Sequence, residues 1–311
     1  MKTYRITLSP LSKLENLHHS QNLFGFFCYR LKDRYDEETL ETILKALEKG
    51  EKTLEISSIM PEKSVFWPSL TIEYSSAEMF DSVIAKQLKK IRYVSFKVLD
   101  ILLQASFVGD CVVKNIKEDQ WVFNKDLLMM KDEIFYEYSL GIDIRYSSKE
   151  KTPFNVKSYG IHKNSKFNFY IRTDIEEITT LLKETGHINL GKYKNVALNT
   201  YEVLKHEPIT FSTKPKNILL SKYIPENEKA FDREHSFVKI DMVKSRLENR
   251  MFDSYDSKHA DTFSVISEGS IIVTNSKHTG ILKKRPTASK IIGKPIFYNG
   301  FAFFYPVGDV S

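Results

Sequence analysis

Residues 173–204 read TDIEEITTLLKETGHINLGKYKNVALNTYEVL. Asp174 and Glu177 stand three apart, the spacing of a capping box at a helix start. Ile175, Ile178, Leu181 and Leu182 follow at helical spacing, and Gly186 ends the pattern. A strand pattern, TYEVL, begins near Tyr201. Between the two lie Gly186, Gly191, Lys192, Tyr193, Lys194, Asn195 and Asn199, with no acid from 186 to 199. Backbone amides and lysines of this kind suit a phosphate, and they equally suit a solvated connection.

Read outward, the rest of the first two hundred residues completes the unit. YRITLSPL, 4–11, alternates: Tyr4, Ile6 and Leu8 share one face, Arg5 and Thr7 the other, and Pro10 ends the strand. Ser20 reads as an N-cap, with Leu23, Phe24, Phe27 and Leu31 behind it at helical spacing. Asp36 caps a second helix. Glu37 and Glu38 suit its positive end, Leu40, Ile43, Leu44 and Leu47 form its stripe, and Gly50 stops it. Residues 54–75 are extended, punctuated by Pro61 and Pro68. A strand, two helices, a strand region, a helix and a strand make a βαββαβ plan with insertions.

Other segments are read more coarsely. Residues 77–90 suit a helix, and IRYVSFKVLDILLQ, 91–104, alternates first and then turns helical. Residues 120–172 mix short strands with polar loops, and NFYIRT, 168–173, is a strand. NILLSKYI, 217–224, opens the last third, and the Asn299-Gly300 pair between KPIFY and FAFFYPV predicts a hairpin. The predicted class is α+β, with units at 1–206 and 207–311.

Composition narrows the function. The 311 residues are 41% hydrophobic and 28% charged, ordinary globular material rather than a disordered chain. Aromatics at 13% serve either large cores or base stacking. The net charge of +6 permits a polyanion partner. Its distribution is more telling: between Glu268 and Asp309 there is no acid, and Lys277, Lys283, Lys284, Arg285, Lys290 and Lys294 fall there. Two cysteines, Cys28 and Cys111, are too few for a disulfide framework, and Cys28 lies on the first helix's apolar pattern. Lys2, Arg5, Ser9 and Pro10 do not make a signal peptide, and VLDILLQASFV is broken by Asp100 and Gln104. The expectation is a cytoplasmic protein with no membrane partner.

Motifs for cofactor chemistry are absent: there is no HExxH, no GxxxxGK[ST], no GxGxxG and no GxSxG. No cofactor or metal is expected. His18 and His19 are neighbours, so they point in different directions. The remaining enzyme idea is metal-independent RNA cleavage by His18, His19 or His278.

Four stretches, in order, add a resemblance. HHSQNLFGFFCYRL (18–31) resembles the first helix start of the RAMP (repeat-associated mysterious) proteins of CRISPR systems. TGHINLGKYKNVALNTYEV (185–203) sits where that family carries a glycine-rich loop. ILLSKYIPENE (218–228), and EGSIIV (268–273) followed by KPIFYNGFAFFYPV (294–307), are similar to the second half of one subgroup. That subgroup is the type III-A effector (Csm complex) subunit that caps the 5′ end of the crRNA. The loop here is poorer in glycine, and Gln21 and Asn22 replace an Asp-Thr pair.

The resemblance implies two ferredoxin-like (RRM-like) modules with insertions. It implies a non-catalytic subunit that holds the repeat-derived 5′ tag. Its partners would be the large polymerase-like subunit and the repeated RAMP backbone subunit, with target RNA met indirectly. The RNA-binding residues would be His18, Ser20, Arg145, Gly191, Lys192, Lys194, Asn195, Lys283, Lys284 and Arg285. Arg145, in DIRY, is chosen because an arginine follows an extended segment in the family. The alternatives are a RAMP endoribonuclease that processes precursor crRNA, and an assembly adaptor whose aromatic C-terminus docks a partner.

Overall fold

The computed structural model describes residues 1–14, 17–133, 138–146, 153–161, 165–191, 198–212, 214–246, 259–274 and 280–307. It is a mixed α+β protein with seven α-helices among the described residues.

The alternating stretch is strand β1, Lys2–Pro10, and it buries Ile6 and Leu8. Helix α1, Ser20–Arg34, buries Leu23, Phe24, Phe27 and Leu31, the predicted stripe. Each such side chain contributes about 1.5–3 kcal/mol of transfer free energy. The predicted cap is displaced by one position. His19 is the flanking residue, Ser20 is the first helical one, and its amide donates to Ser58 Oγ at 2.9 Å. A distant hydroxyl thus satisfies the orphan donor that a local cap would have taken.

In α2, Glu37–Glu48, Asp36 accepts the Thr39 amide at 2.6 Å, and Gly50 follows in the left-handed region at φ +72°. Strands β2, Leu54–Ile56, and β3, Met60–Pro61, follow.

An insertion comes next. It contains β4 (Ser64–Phe66), α3 (Ser82–Leu88), β5 (Tyr93–Ser95), α4 (Phe96–Gln104), α5 (Val108–Lys117), β6 (Trp121–Asn124) and β7 (Leu127–Met130). Its sheet has the order β4-β5-β7-β6, and β5 runs parallel to β7. The stretch 91–104 changes from strand to helix between Ser95 and Phe96. A separate hairpin joins β8, Tyr138–Tyr146, to β9, Pro153–Ile161.

Strand β10, Phe167–Thr173, returns to the first sheet, followed by α6, Glu176–Glu184. The expected capping box does not form. Asp174 Oδ1 instead accepts the Thr53 amide at 2.9 Å, and Thr173 Oγ1 accepts the Ile175 amide at 3.0 Å. Asp174 faces the β2 side of the sheet, and the residue flanking the helix is Ile175. Strands β11, His187–Asn189, and β12, Thr200–Pro208, complete an antiparallel sheet of order β11-β12-β1-β10-β2, with β3 also on β10. The apolar sides of α1, α2 and α6 pack on one face of it.

The rest of the chain supplies β13 (Lys216–Leu219), β14 (Asp232–Phe237), β15 (Ile240–Arg246), β16 (His259–Ile266), β17 (Ile271–Val273), β18 (Leu282–Lys284), α7 (Pro286–Ile292), β19 (Phe297–Asn299) and β20 (Phe304–Pro306). One sheet has the order β14-β17-β13-β20; β15 pairs with β16, and β18 with β19.

The predicted hairpin at Asn299-Gly300 is therefore absent. The two flanking strands belong to different sheets, β19 to β18 and β20 to β13. Asn299 Oδ1 accepts the Phe301 amide at 3.0 Å, a local turn that changes direction without reversing it. Gly300 donates to the Ile281 carbonyl at 3.0 Å and accepts from the Ile224 amide at 2.9 Å. A Cβ there would lie 2.7 Å from both Ile224 Cβ and the Ile281 oxygen, so glycine is needed for close approach.

The second half covers the first sheet's other face. Tyr170 of β10 stacks on Phe303 with ring centroids 5.6 Å apart, and Phe211 and Tyr305 join them. The Arg172 guanidinium lies 4.9 Å over the Phe303 ring and donates to Glu55 Oε2 at 2.7 Å. Burial pushes the Glu55 carboxyl up to about 7, against the pull of Arg172. These aromatics are core.

Candidate nucleic-acid interface

The glycine-containing connection is partly a strand. In β11, His187, Ile188 and Asn189 pair with Glu202, Tyr201 and Thr200 of β12. The chain then reaches Gly191, and residues 192–197, with Lys192, Lys194 and Asn195, lie outside the described residues. It re-enters at Leu198 and Asn199. Leu190 donates to the Asn199 carbonyl at 3.1 Å, Asn199 donates to the Lys13 carbonyl at 3.0 Å, and Thr200 donates to Ser12 Oγ at 3.0 Å. The base of the loop is thereby fastened to the segment between β1 and α1.

Both ends of the loop are left-handed, Gly191 at φ +77° and Asn199 at φ +61°. Glycine and asparagine are the residues that adopt this region at least cost. His18 sits between them. A Cβ on Gly191 would lie 2.7 Å from His18 Cε1. The His18 ring meets Tyr201 edge-on, with ring centroids 6.4 Å apart. His18 is 4% exposed, and burial lowers its imidazole to about 4, against an opposing influence of the Asn199 side chain. The ring is neutral at pH 7.

His19 faces the other way. Its Nδ1 lies 2.9 Å from Glu268 Oε1, between β16 and β17. Ser58 Oγ donates to the same oxygen at 2.7 Å, while Lys222 Nζ stands 3.7 Å from Glu268 Oε2 and 2.8 Å from Asp241 Oδ2. Burial works to raise the Glu268 carboxyl, but His19, Lys222 and Ser58 outweigh it and hold the group at about 2. His18, His19 and Ser20 thus serve three attachments: the loop, the second half of the chain, and the Ser58 hydroxyl.

The basic segment lies elsewhere on α1. Asn299 of β19 donates its amide to Gln21 Oε1 at 2.9 Å, and Lys294 pairs with Glu37 of α2. Lys283 Nζ lies 4.8 Å over the Phe263 ring, Lys284 is exposed, and Arg285 Nε stands 3.9 Å from Asp261 Oδ2 with its side chain 12% exposed. Arg145 is on β8, where the backbone is described and the side chain is not, and it pairs in register with Phe154. Lys277 and His278 fall outside the described residues. Of the sequence-derived candidates, His18, Ser20 and Gly191 gather around the start of α1. Lys283, Lys284 and Arg285 form a second group, and Arg145 belongs to neither.

No protein-family model matches the chain, and no curated protein matches its sequence. Solved structures match it in fold over its whole length. A chain of the Csm3–Csm4 subcomplex of the type III-A CRISPR-Cas interference complex superposes with a TM-score of 0.62 at 16% identity, covering 99% of this chain and 100% of that one. The chain has the fold of a type III-A CRISPR complex subunit. A chain of the Csm1–Csm4 cassette in complex with pppApA gives 0.57 at 16% identity over 99% and 98% of the two chains. A chain of the same cassette with cA3 gives 0.54 at 16% identity over 99% and 100%.

Glu268 carries no local sequence signal for its contact with His19. Its partner His19 is 249 positions away, and no local pattern links them. The one signal was its place as the last acid before the acid-free basic run.

Proposed function

We propose that this chain is the RNA-binding subunit of a type III-A CRISPR interference complex that holds the repeat-derived 5′ tag of the crRNA. It would bridge the large polymerase-like subunit to the repeated backbone subunits, and it would act in the cytoplasm. The observation that carries this reading is the full-length fold match to chains from both Csm3–Csm4 and Csm1–Csm4 assemblies, whose common member is Csm4.

Strand order supports two ferredoxin-like modules, the first ending with β12 at Pro208 where the sequence suggested residue 206. Numbering the strands of a βαββαβ unit 1 to 4, the first sheet reads 4-1-3-2 as β12-β1-β10-β2. The second has the same strand order as β20-β13-β17-β14, with no helix between β13 and β14. The aromatic packing on Tyr170 fills the first sheet's open face. RNA contacts would therefore fall outside that face: to Lys192, Lys194 and Asn195 after Gly191, and to Lys283, Lys284 and Arg285 where β18 meets α7. Their role is to hold phosphates, with base readout supplied by unstacked nucleotides.

The subunit is proposed to be non-catalytic. A general base needs a near-neutral pKa and access to a 2′-hydroxyl. His18 is buried and low, and His19 is engaged by Glu268, which favours attachment roles for both. Filter binding of a tag-bearing RNA to the wild type and to Lys192→Ala/Lys194→Ala tests the reading. The expected result is about tenfold weaker binding and a log–log salt slope smaller by about 1.4. Unchanged affinity and slope would remove the loop from the interface.

A further inference from the structure

We propose that the cleft between the two halves of the chain is a nucleotide site, with a nucleobase edge against Glu55 and Arg172 and a phosphate among the lysines of the rim. The site is independent of the RNA contacts assigned above. The cleft has a volume of about 1520 Å³. Its walls come from the start of β1, the turn between α2 and β2, and the chain beyond β12. Strand β1 is nine residues long, about 30 Å, and Asn199 and Thr200 are fastened past its other end, at Lys13 and Ser12. The cleft is thus distinct from the Gly191 connection.

The floor is a built polar pair. Arg172 of β10 and Glu55 of β2 are cross-strand neighbours, and both line the cleft. Arg172 Nη1 donates to Glu55 Oε2 at 2.7 Å and its Nε to Thr3 Oγ1 at 3.2 Å, which leaves Nη2 without a hydrogen-bond partner among the described residues. Glu55 is 1% exposed, yet its Oε1 accepts no hydrogen bond from them. A buried carboxylate oxygen left open in this way calls for a donor. The pair therefore offers one open acceptor and one open donor. The Watson–Crick edge of each nucleobase carries the complement, a donor beside an acceptor.

The rim supplies the rest. Lys2, Lys49 and Lys52 are exposed and Lys214 is half-buried, and they outnumber the rim acids Glu48 and Glu226. Tyr4 and Phe304, both half-buried, add aromatic walls on which a base can lie. Lysines alone would suit any anion. The open acceptor on the floor selects a ligand with donors at one end and negative charge at the other, which a nucleotide has.

The test is calorimetric titration of the full chain with AMP and with ribose 5-phosphate at pH 8, above the raised Glu55 pKa of about 7, where the acceptor is ionised. AMP is expected to bind at least about tenfold tighter than ribose 5-phosphate. Glu55→Gln, which keeps an acceptor for Arg172 and turns a donor to the Oε1 position, should weaken AMP about tenfold and leave ribose 5-phosphate unchanged. Lys52→Ala/Lys214→Ala, at surface positions, should weaken both.

No AMP binding in the millimolar range, equal binding of ribose 5-phosphate, or no effect of Glu55→Gln would overturn the proposal. So would an oligo-glutamate peptide that binds as tightly as AMP, which would make the cleft a general anion or protein-docking surface. AMP that displaces tag-bearing RNA in filter binding would show that the cleft holds a nucleotide of the RNA. AMP that binds without displacing it would show a site for a free nucleotide. Both results support the site and fix the source of its ligand, and a failure of the loop lysines to affect RNA leaves the AMP result standing.

Discussion

Glu268 and His19 meet at 2.9 Å although 249 residues separate them, and the contact ties the start of α1 to the second half of the chain. Lys222 and Ser58 complete the site around a carboxylate whose side chain is only 6% exposed. Removing one member of a buried ionic group leaves the others uncompensated, typically at about 3–5 kcal/mol. Glu268→Ala should lower unfolding free energy by that order in urea titration. A loss under about 1 kcal/mol would show that the cluster is not a fastening.

The same carboxylate sets an acid limit. Its folded-state pKa is depressed from 4.5 to about 2, so its contribution is fully present above pH 4.5 and is lost as pH falls toward 2. Wild type should lose stability through that window more steeply than Glu268→Gln, by circular dichroism melts at stepped pH. Parallel curves would contradict the assignment.

His18 and Glu55 shift in opposite directions for one reason, burial. His18 falls from 6.5 to about 4, so the unfolded chain takes up its proton first and stability drops as pH falls through that range. Glu55 rises from 4.5 to about 7 beside Arg172, so the folded chain keeps its proton longer and stability drops as pH rises through that range. Between pH 4.5 and 6.5 the two slopes oppose, each about 1.4 kcal/mol per pH unit. Glu55→Gln keeps a hydrogen-bond acceptor for Arg172 and unmasks the His18 slope. Its stability relative to wild type should climb by about 3 kcal/mol across that window. A constant difference would mean that Glu55 does not titrate as its burial dictates, because His18 contributes equally to both proteins.

Gly300→Ala tests the crossing between sheets. The added methyl meets the Ile224 side chain and the Ile281 carbonyl, and overpacking of this kind costs about 1–3 kcal/mol. A melting temperature within a degree of wild type would contradict the packing described.

What the sequence made legible was local. The stripe Leu23, Phe24, Phe27 and Leu31, the Asp36 cap and the change of period at Ser95 all depend on neighbours within one or two turns. Helix α5 was missed because valines and Gly109 are poor helix formers; burial of Val108, Val112 and Val113 outweighs that propensity. Gly109 is there for packing, since a Cβ would come within 2.6 Å of the Glu73 carbonyl oxygen and the Tyr74 ring. Ser20, Asp174 and Asn299 each carried a correct local signal that a distant partner redirected: Ser58, Thr53 and Gln21 respectively. At the site, His18 and Gly191 were chosen separately, and their contact was visible only in three dimensions.

If the chain is non-catalytic, repeat RNA incubated with it in chelator should stay intact. A product ending in a 2′,3′-cyclic phosphate, abolished by His19→Ala, would restore the endoribonuclease reading.

The most direct test of the central claim is purification of the tagged chain from its own cells at low salt, with sequencing of the bound RNA. The account predicts short RNAs sharing one repeat-derived 5′ tag, lost from the Lys192→Ala/Lys194→Ala variant. RNAs of random sequence, or none, would contradict it.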